Sequence, residues 1–251
     1  MLDDSAYLDR LSYTGPTAPT LETLRALHLA HLYAVPFENL DIHIGRKIIL
    51  DEEKLFDKIV SHRRGGFCYE LNGLFAALLR ALSFDVTLLA AGVWNLAHQR
   101  FDPEFDHLCL LVRLEERWLA DVGFGDTFRE PLRLDDPGEQ IQNGKAYRIE
   151  RDGDWWIMHE PDSGGRRADG YRFILRPREL GEFAFGCHYH QTSPDSPFTQ
   201  KRLCSRATPT GRITLSGDSL IITANGQRNE RLLANEEEWS QALKDHFGLV
   251  L

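Results

Sequence analysis

The sequence predicts an α+β protein in which helices come first and strands dominate later. Leucines recur at helical spacing across residues 20–82, and from Val86 the apolar period shortens to that of strands. A last amphipathic stretch, residues 236–247, predicts a closing helix with an acidic first turn. Helices and strands that are segregated along the chain are typical of this class, and we place soft boundaries near residues 84 and 185.

Three helices are predicted in the first part. One begins near Leu21, and residues 54–60 favour a second. Pro36 separates them because it disfavours helical geometry at Val35. The third follows Gly65-Gly66-Phe67 and has the longest apolar face, formed by Leu71, Leu74, Phe75, Leu78, Leu79 and Leu82.

The middle of the chain predicts a twisted antiparallel sheet or a small barrel. Short apolar or alternating segments separated by turn residues are typical of such structures. The predicted strands are residues 85–94, 107–114, 117–122, 147–151 and 154–159, followed by a loop at 192–197 and by strands at 211–215 and 219–224.

Composition narrows the function. The 251 residues are 42% apolar and 27% charged, which is typical of a folded globular protein and excludes disorder. The net charge of −9 argues against a general nucleic-acid or anionic-membrane binder, because both need a basic surface. Any polyanionic ligand would have to find a local basic patch.

The sequence favours a cytoplasmic location. Its N-terminus is acidic and lacks the apolar segment of a secretory signal, and the apolar run at residues 86–94 is about half a membrane span. The four cysteines show no CxxC pair, so we expect reduced thiols. No feature of the sequence indicates an oligomeric state.

Cys68 is a candidate nucleophile. It directly follows two glycines and begins the third predicted helix, where unpaired N–H groups and the helix dipole would lower the pKa of a thiol. The same N–H groups could stabilise an oxyanion during acyl transfer. The alternative is that Cys68 is a small buried apolar residue.

A nucleophilic thiolate needs a base, and the base needs a group that orients it. His107 opens one predicted strand and Asp121 closes the next, so a hairpin turning near residues 114–116 would let them share a hydrogen bond. Asp121 also lies in an apolar stretch, where an unpaired carboxylate would be costly. The alternative is a histidine at a strand end and an exposed aspartate before a glycine turn.

Four segments resemble the motifs of the arylamine N-acetyltransferases. Residues 63–72, RRGGFCYELN, resemble the RRGGxCxExN nucleophile motif of that family. Residues 36–40 resemble its PFEN segment, residues 121–125 its D(A/V)GFG segment and residues 196–199 its SPF segment. The resemblance extends from about residue 21 to about residue 251. Four short motifs in the same order are specific although each alone is weak.

The resemblance implies a fold of three parts: a helical bundle at residues 1–84, an antiparallel β-barrel at 85–185 and an α/β lid at 186–251, the first two arranged as in papain-like cysteine proteases. It also implies a ping-pong reaction in which acetyl-CoA acetylates Cys68 and an arylamine or arylhydrazine then takes the acetyl group. His107 would activate the thiol, Asp121 would orient His107, and no metal would be needed.

The resemblance also implies a cleft lined by aromatic side chains, which suit flat aryl rings. For Phe37 and Phe67 the alternative is ordinary core packing. Arg64 and Glu38 are expected to brace the nucleophile loop as a hydrogen-bonded pair. The residues implied for the cleft are Phe37, Phe67, Tyr69, Phe124 and Phe198.

The CoA phosphates would favour the most basic short segment of the chain, residues 201–206, which follows the SPF motif directly. This segment contains Lys201, Arg202 and Arg206, and its alternative interpretation is a solvated charged turn. The loop at residues 100–106 carries three carboxylates and no glycine, which does not favour phosphate binding.

Other functions stay open at this stage. A cysteine hydrolase or an amide synthase could use the same triad with a different acyl acceptor, and a non-catalytic binding module could keep the fold. Cys187, His188 and His190 form too tight a cluster for a closed zinc site, although on a strand the two histidines would share one face.

Overall fold

The structure, a computed structural model, describes residues 2–161 and 164–251. Its first part is helical, as predicted. The helices are α1 Asp4–Arg10, α2 Leu21–Ala34, α3 Leu40–His43, α4 Glu52–Phe56 with a π-helical turn at Asp57–Ser61, and α5 Cys68–Ala81. A two-residue strand, β1 Phe37–Glu38, lies between α2 and α3.

Local sequence explains where two of the longer helices begin and end. The Thr20 side chain caps α2 by accepting from the Thr23 N–H, and α2 ends at Ala34 because Val35 is extended before Pro36. Near the C-terminus, helix α8 (Glu236–Phe247) is capped by Asn235, has three glutamates in its first turn and ends at Gly248, whose φ is 71°.

Nine strands of the described residues form the central sheet, in the order β6-β5-β4-β2-β10-β9-β8-β7 with β3 paired to β2, and all its pairs are antiparallel. The strands are β2 Asp85–Asn95, β3 Arg100–Phe101, β4 His107–Arg113, β5 Arg117–Ala120, β6 Leu132–Arg133, β7 Gln140–Gln142, β8 Lys145–Asp152, β9 Trp155–Pro161 and β10 Arg167–Phe173.

This sheet curls into a nearly closed barrel whose two edges are joined by side chains. Gln140 of β7 accepts from the Arg133 N–H at 2.7 Å and donates to the Arg133 carbonyl at 2.9 Å. Gln142 accepts in the same way from the N–H groups of Arg129 and Glu130. The side-chain amides therefore take the place of a backbone ladder between β6 and β7.

Successive residues of β2 and β4 pack on opposite sides of this sheet. Leu88, Ala90 and Leu108 belong to the core shared with the helices, whereas Leu89 and Cys109 face the barrel interior. Because both faces are covered, β4 is apolar from Leu108 to Val112 without alternation.

The last part combines two helices, a five-stranded sheet and α8. Helices α6 Ala184–Thr192 and α7 Pro197–Gln200 come first, preceded by a 3₁₀ turn at Leu180–Phe183. The sheet has the order β1-β11-β12-β13-β14, so a strand from the helical part forms its edge. Its C-terminal strands are β11 Leu203–Thr208, β12 Gly211–Ser216, β13 Ser219–Ala224 and β14 Gln227–Leu232.

Several elements differ from the sequence prediction. The boundary near residue 185 falls inside α6, whereas the one near residue 84 falls just before β2. Strand β14 escaped prediction because five of its six residues are polar and all six are exposed, yet it pairs fully with β13. The signal was Asn225-Gly226, whose positive φ angles of 51° and 77° suit a hairpin turn.

No helix among the described residues is long and apolar enough to cross a membrane.

A buried charge network braces the loop that leads into α5. Arg64 donates to Glu38 at 3.0 Å and to Asp41 at 3.0 Å. Lys58 lies 2.8 Å from both Asp41 and Glu70. The bracing pair predicted between Arg64 and Glu38 is thus confirmed, and it belongs to a larger network of two cations and three carboxylates.

We expect Arg64→Gln to lower the free energy of unfolding by about 3 kcal/mol, because it leaves the buried Glu38 carboxylate without a cation and Asp41 without one of its two buried cations. Arg228→Gln, which removes an exposed partner of Glu230, should change it by less than about 1 kcal/mol. Urea denaturation of both variants measures the difference. Equal effects would show that the network does not hold the loop.

Candidate active site

Cys68 is the first residue of α5 and lies where the helical part meets the barrel. A Cβ at Gly65 would collide with the Pro36 carbonyl oxygen, so only glycine lets the loop pass this close to the PFEN segment. Glu70 accepts from the Phe67 N–H at 3.0 Å and thereby caps the start of α5. The loop and the cap together fix the position of the thiol.

His107 and Asp121 face each other across the hairpin of β4 and β5. The hairpin turns at residues 114–116, as predicted, and its register pairs Leu110 with Ala120. His107 Nε2 lies 2.7 Å from Asp121 Oδ2. The hydrogen bond predicted between the two side chains is therefore present, and it leaves Nδ1 of His107 as the second ring nitrogen.

Asp121 is fully buried and is held by several donors. Asn72 donates to Oδ1 at 2.8 Å, and the Gly123 N–H donates to the same oxygen at 2.9 Å. Although burial by itself raises the pKa of Asp121, the charge and hydrogen bond of His107, with the bonds from Asn72 and Gly123, hold that pKa below its usual value. The carboxylate is therefore charged at neutral pH.

His28 is a further contributor that the sequence did not reveal. Its Nε2 accepts from the Asp121 N–H at 3.1 Å, and its Nδ1 donates to the Arg129 carbonyl at 2.8 Å. Burial lowers the pKa of His28 to about 4, so the ring is neutral at pH 7. Its place on the buried face of α2 marked it as a core residue, and only the tertiary fold brings it to Asp121.

The Cys68 thiol is buried against the start of β4. A Cβ at Gly123 would lie 2.8 Å from the Cys68 Cα, so glycine lets the two segments meet. Burial raises the pKa of the thiol well above its usual value, and the charges of Asp106 and Asp121 act in the same direction. The lowered pKa expected from the helix N-terminus is therefore wrong for this resting state, because burial removes the thiolate from water.

Cys68 and His107 line one cleft with a volume of about 790 Å³. Three of the five aromatic residues predicted for it, Phe37, Phe124 and Phe198, also line it. Phe67 and Tyr69 are fully buried behind the wall. Tyr69 donates from its hydroxyl to the carbonyls of Phe105 and Asp106, at 2.7 and 2.9 Å.

Two segments that the sequence analysis did not select complete the cleft. One comprises residues 93–106 and the other belongs to α6. Phe185 on α6 is 83% exposed, which makes it an aromatic side chain available to a ligand. The sequence analysis weighed residues 100–106 only for phosphate binding and residues 187–190 only for a metal site, because the place of both segments in the cleft depends on tertiary packing. Their lining residues include Trp94, Arg100, Phe105, Phe185, Tyr189 and His190.

The basic segment predicted for CoA lies elsewhere. Arg202 pairs with Glu236 at 2.7 Å, and its guanidinium lies 4.0 Å from the centre of the Trp239 ring. Arg206 donates to the His246 carbonyl at 2.8 Å. Both side chains thus anchor α8. Neither they nor Lys201 line the cleft, and their role in CoA binding stays a prediction.

The cysteine–histidine cluster at residues 187–190 lies on helix α6 and not on a strand. His188 is therefore exposed while His190 is buried, and the two do not share a face. Residues 2–161 and 164–251 contain no group of three or more His, Cys, Asp or Glu side chains placed to hold a metal ion.

A cysteine at a helix start that shares a cleft with a histidine–aspartate pair is the arrangement of enzymes that form acyl-cysteine intermediates. The family model for N-acetyltransferases matches residues 20–251. An arylamine N-acetyltransferase of Escherichia coli (strain K12) is 36% identical over 247 residues, covering 97% of this chain and 87% of the relative.

Comparison with solved structures points to the same family as the sequence comparisons. The arylamine N-acetyltransferase from Salmonella typhimurium superposes with a TM-score of 0.93 at 36% identity, covering 99% of this chain and 92% of that one. The Mycobacterium marinum arylamine N-acetyltransferase in complex with CoA gives a TM-score of 0.90 at 34% identity, covering 98% and 92%. The chain belongs to the arylamine N-acetyltransferase family and is an acyltransferase.

We expect His28 to make the protein sensitive to acid. Its pKa of about 4 in the folded state lies below the ordinary 6.5, so between these values the unfolded chain binds more protons and stability falls as pH falls. From pH 7 to pH 5 this loss should be about 2 kcal/mol.

Urea denaturation at both pH values, on the wild type and on His28→Gln, measures this loss. Glutamine can accept from the Asp121 N–H but does not titrate. The stability that His28→Gln loses from pH 7 to pH 5 should therefore be smaller than the wild-type loss by the amount attributed to His28. His188→Gln changes an exposed histidine on another helix, and this variant should lose as much stability between the two pH values as the wild type. A loss in His28→Gln equal to that of the wild type would contradict the assignment of the acid sensitivity to His28.

Proposed function

We propose that this protein transfers the acetyl group of acetyl-CoA to arylamines and arylhydrazines by a ping-pong mechanism, with Cys68, His107 and Asp121 as its catalytic triad. The observation that carries the proposal is the 2.7 Å hydrogen bond between His107 and Asp121, facing the same cleft as the Cys68 thiol. Acetyl-CoA is a co-substrate, and the proposed chemistry uses no metal.

The first half-reaction begins with a proton transfer. Because burial raises the pKa of the thiol, Cys68 is protonated at rest and depends on a base to form the thiolate. His107 Nδ1 takes that proton, and Asp121 stabilises the resulting imidazolium. The sulfur attacks the acetyl carbonyl, N–H groups at the start of α5 stabilise the oxyanion, and CoA leaves as a thiol with the proton from His107.

The second half-reaction reverses the roles. The amine nitrogen attacks the acetyl-cysteine carbonyl, and His107 takes the proton that the nitrogen loses. The carbon–sulfur bond then breaks, and the Cys68 sulfur recovers a proton. The product is an amide or a hydrazide.

The walls of the cleft support an aromatic acceptor. The rings of Phe37, Phe124 and Phe198 offer apolar surface for a flat aryl group. Phe67 and Tyr69 shape this surface from behind, since the Phe67 ring lies 5.8 Å from that of Phe198 and 5.2 Å from that of Tyr69. The complex of the Mycobacterium marinum enzyme with CoA supports CoA as the carrier of the acyl group.

We also propose that the protein works in a reducing compartment, the cytoplasm. All four cysteines lie within the described residues and carry free thiols. A free nucleophilic thiol persists where glutathione and thioredoxin keep cysteines reduced.

Intact-protein mass after brief incubation with acetyl-CoA, and no acceptor, tests the nucleophile. We expect one acetyl adduct on the wild type, discharged by adding an arylamine, and none on Cys68→Ala. Cys187→Ala is the matched control, since it removes another buried thiol and should keep the adduct. Release of CoA without an adduct would instead indicate a hydrolase, and an adduct on Cys68→Ala would exclude Cys68.

Asp121→Asn should reduce kcat by about 10³- to 10⁴-fold, because an amide can hold the imidazole in the wrong tautomer and does not stabilise its charge. Steady-state kinetics with one arylamine measures the loss, and circular dichroism checks the fold. Asp126→Asn changes a carboxylate of the following loop that pairs with Lys145 and Arg212, and it should stay close to wild type. Comparable losses in both variants would remove Asp121 from the mechanism.

A further inference from the structure

His190 bridges two segments that border the active site. It lies on α6, is buried and lines the cleft. Its Nδ1 is 3.1 Å from the Ser196 hydroxyl, and its Nε2 is 3.1 Å from Asp106 Oδ1 and 3.2 Å from the Asp106 carbonyl oxygen. Because the Asp106 carbonyl oxygen can only accept, Nε2 donates to it, while Nδ1 shares a hydrogen bond with the Ser196 hydroxyl, which also lies 3.3 Å from the His190 carbonyl oxygen.

The Ser196 end of this bridge sets the position of Phe198, an aromatic residue of the cleft wall. Ser196 is fully buried and caps α7 by accepting from the Phe198 N–H at 3.3 Å. Phe198 lines the cleft, and its ring centre is 5.1 Å from that of His190 with the rings nearly perpendicular. The bond to Ser196 therefore fixes the turn that presents Phe198 to an acceptor.

The other end reaches the residue before the catalytic base. Asp106 precedes His107, and its carbonyl group forms the peptide bond to His107. That carbonyl accepts from Tyr69 as well as from His190. The Asp106 carboxylate lines the same cleft as Cys68, and its charge acts on the thiol. His190 thus restrains both the backbone and the charge beside the reacting atoms.

We propose that His190 is a positioning residue of the acetyl-transfer site, which serves the first half-reaction through Asp106 and the binding of the acceptor through Ser196. The inference rests on the proposed function. It assigns the first half-reaction to the Nε2 contact and acceptor binding to the Nδ1 contact. Glutamine can reach the Nε2 position and asparagine the Nδ1 position, so the two variants test the two roles separately.

The experiment measures the single-turnover rate of Cys68 acetylation and, from the discharge of preformed acetyl-enzyme, the KM for an arylamine in His190→Leu, His190→Gln and His190→Asn. In His190→Leu we expect the acetylation rate to fall about tenfold and the KM to rise about tenfold, the usual size of effect for a lost hydrogen bond in a buried polar network. His190→Gln should restore the acetylation rate alone, and His190→Asn should restore the KM alone.

His188→Leu is the matched control, because it makes the same substitution at an exposed position of the same helix. A purely structural role would lower the melting temperature of all three His190 variants, and in each of them the acetylation rate and the KM would change together. His190→Leu values equal to those of His188→Leu, or identical behaviour of the glutamine and asparagine variants, would overturn the inference.

Alkylation of Cys68 by iodoacetamide separates this inference from the proposed function. The reaction depends on the alignment of His107 and needs no acetyl-CoA. If the wild type forms no acetyl adduct and releases no CoA, the proposed acyl donor is wrong, yet slower alkylation in His190→Leu than in His188→Leu still supports the positioning role. Equal alkylation rates contradict that role whichever acyl donor is correct.

Discussion

The buried carboxylate of Asp121 is the constraint on which the arrangement of the site depends. A charge removed from water is stable only where donors replace the lost hydration. Here those donors come from separate parts of the chain: His107 on β4, Asn72 on α5 and the backbone of Gly123. His28 of α2 adds a contact to the backbone of the same residue. The carboxylate is therefore satisfied only when the helical part and the barrel are packed together, which is also the condition for Cys68 and His107 to line one cleft.

The position of the thiol follows from the same packing. Cys68 lies at the junction because Gly65 lets its loop pass close to Pro36 and Gly123 lets the chain after β5 approach α5. This burial keeps water from the sulfur, but it also disfavours the thiolate. In the proposed mechanism the thiol is therefore activated by the His107–Asp121 pair, and the donors to Asp121 keep that carboxylate charged.

Sequence predicted what is encoded locally and in motifs. The α+β class, α5 and the hairpin that joins His107 to Asp121 follow from periodicity, from turn residues and from the cost of a lone carboxylate at Asp121. The resemblance to the family implied that Cys68 shares a cleft with this pair. Contacts that exist only after distant segments pack were out of reach, such as that of His28. The segment at residues 201–206 illustrates a different limit: its positive charge predicted a CoA contact that stays a prediction, and only the fold shows that Arg202 and Arg206 contact α8.

Different elements of the fold supply the proposed triad and the cleft walls that an acceptor would contact. The proposed triad is set by α5, β4 and the residue after β5, and its donors leave little freedom for change. The opposite walls come from residues 93–106 and from α6, and these walls include exposed side chains such as Phe185. Under the proposed mechanism, we expect substitutions in these walls to alter which amine enters while acetylation of the thiol persists. His190 touches both systems, since it holds the residue before His107 and the turn that carries Phe198. Changes in acceptor preference at this cleft are therefore expected to arise more readily at positions other than 190.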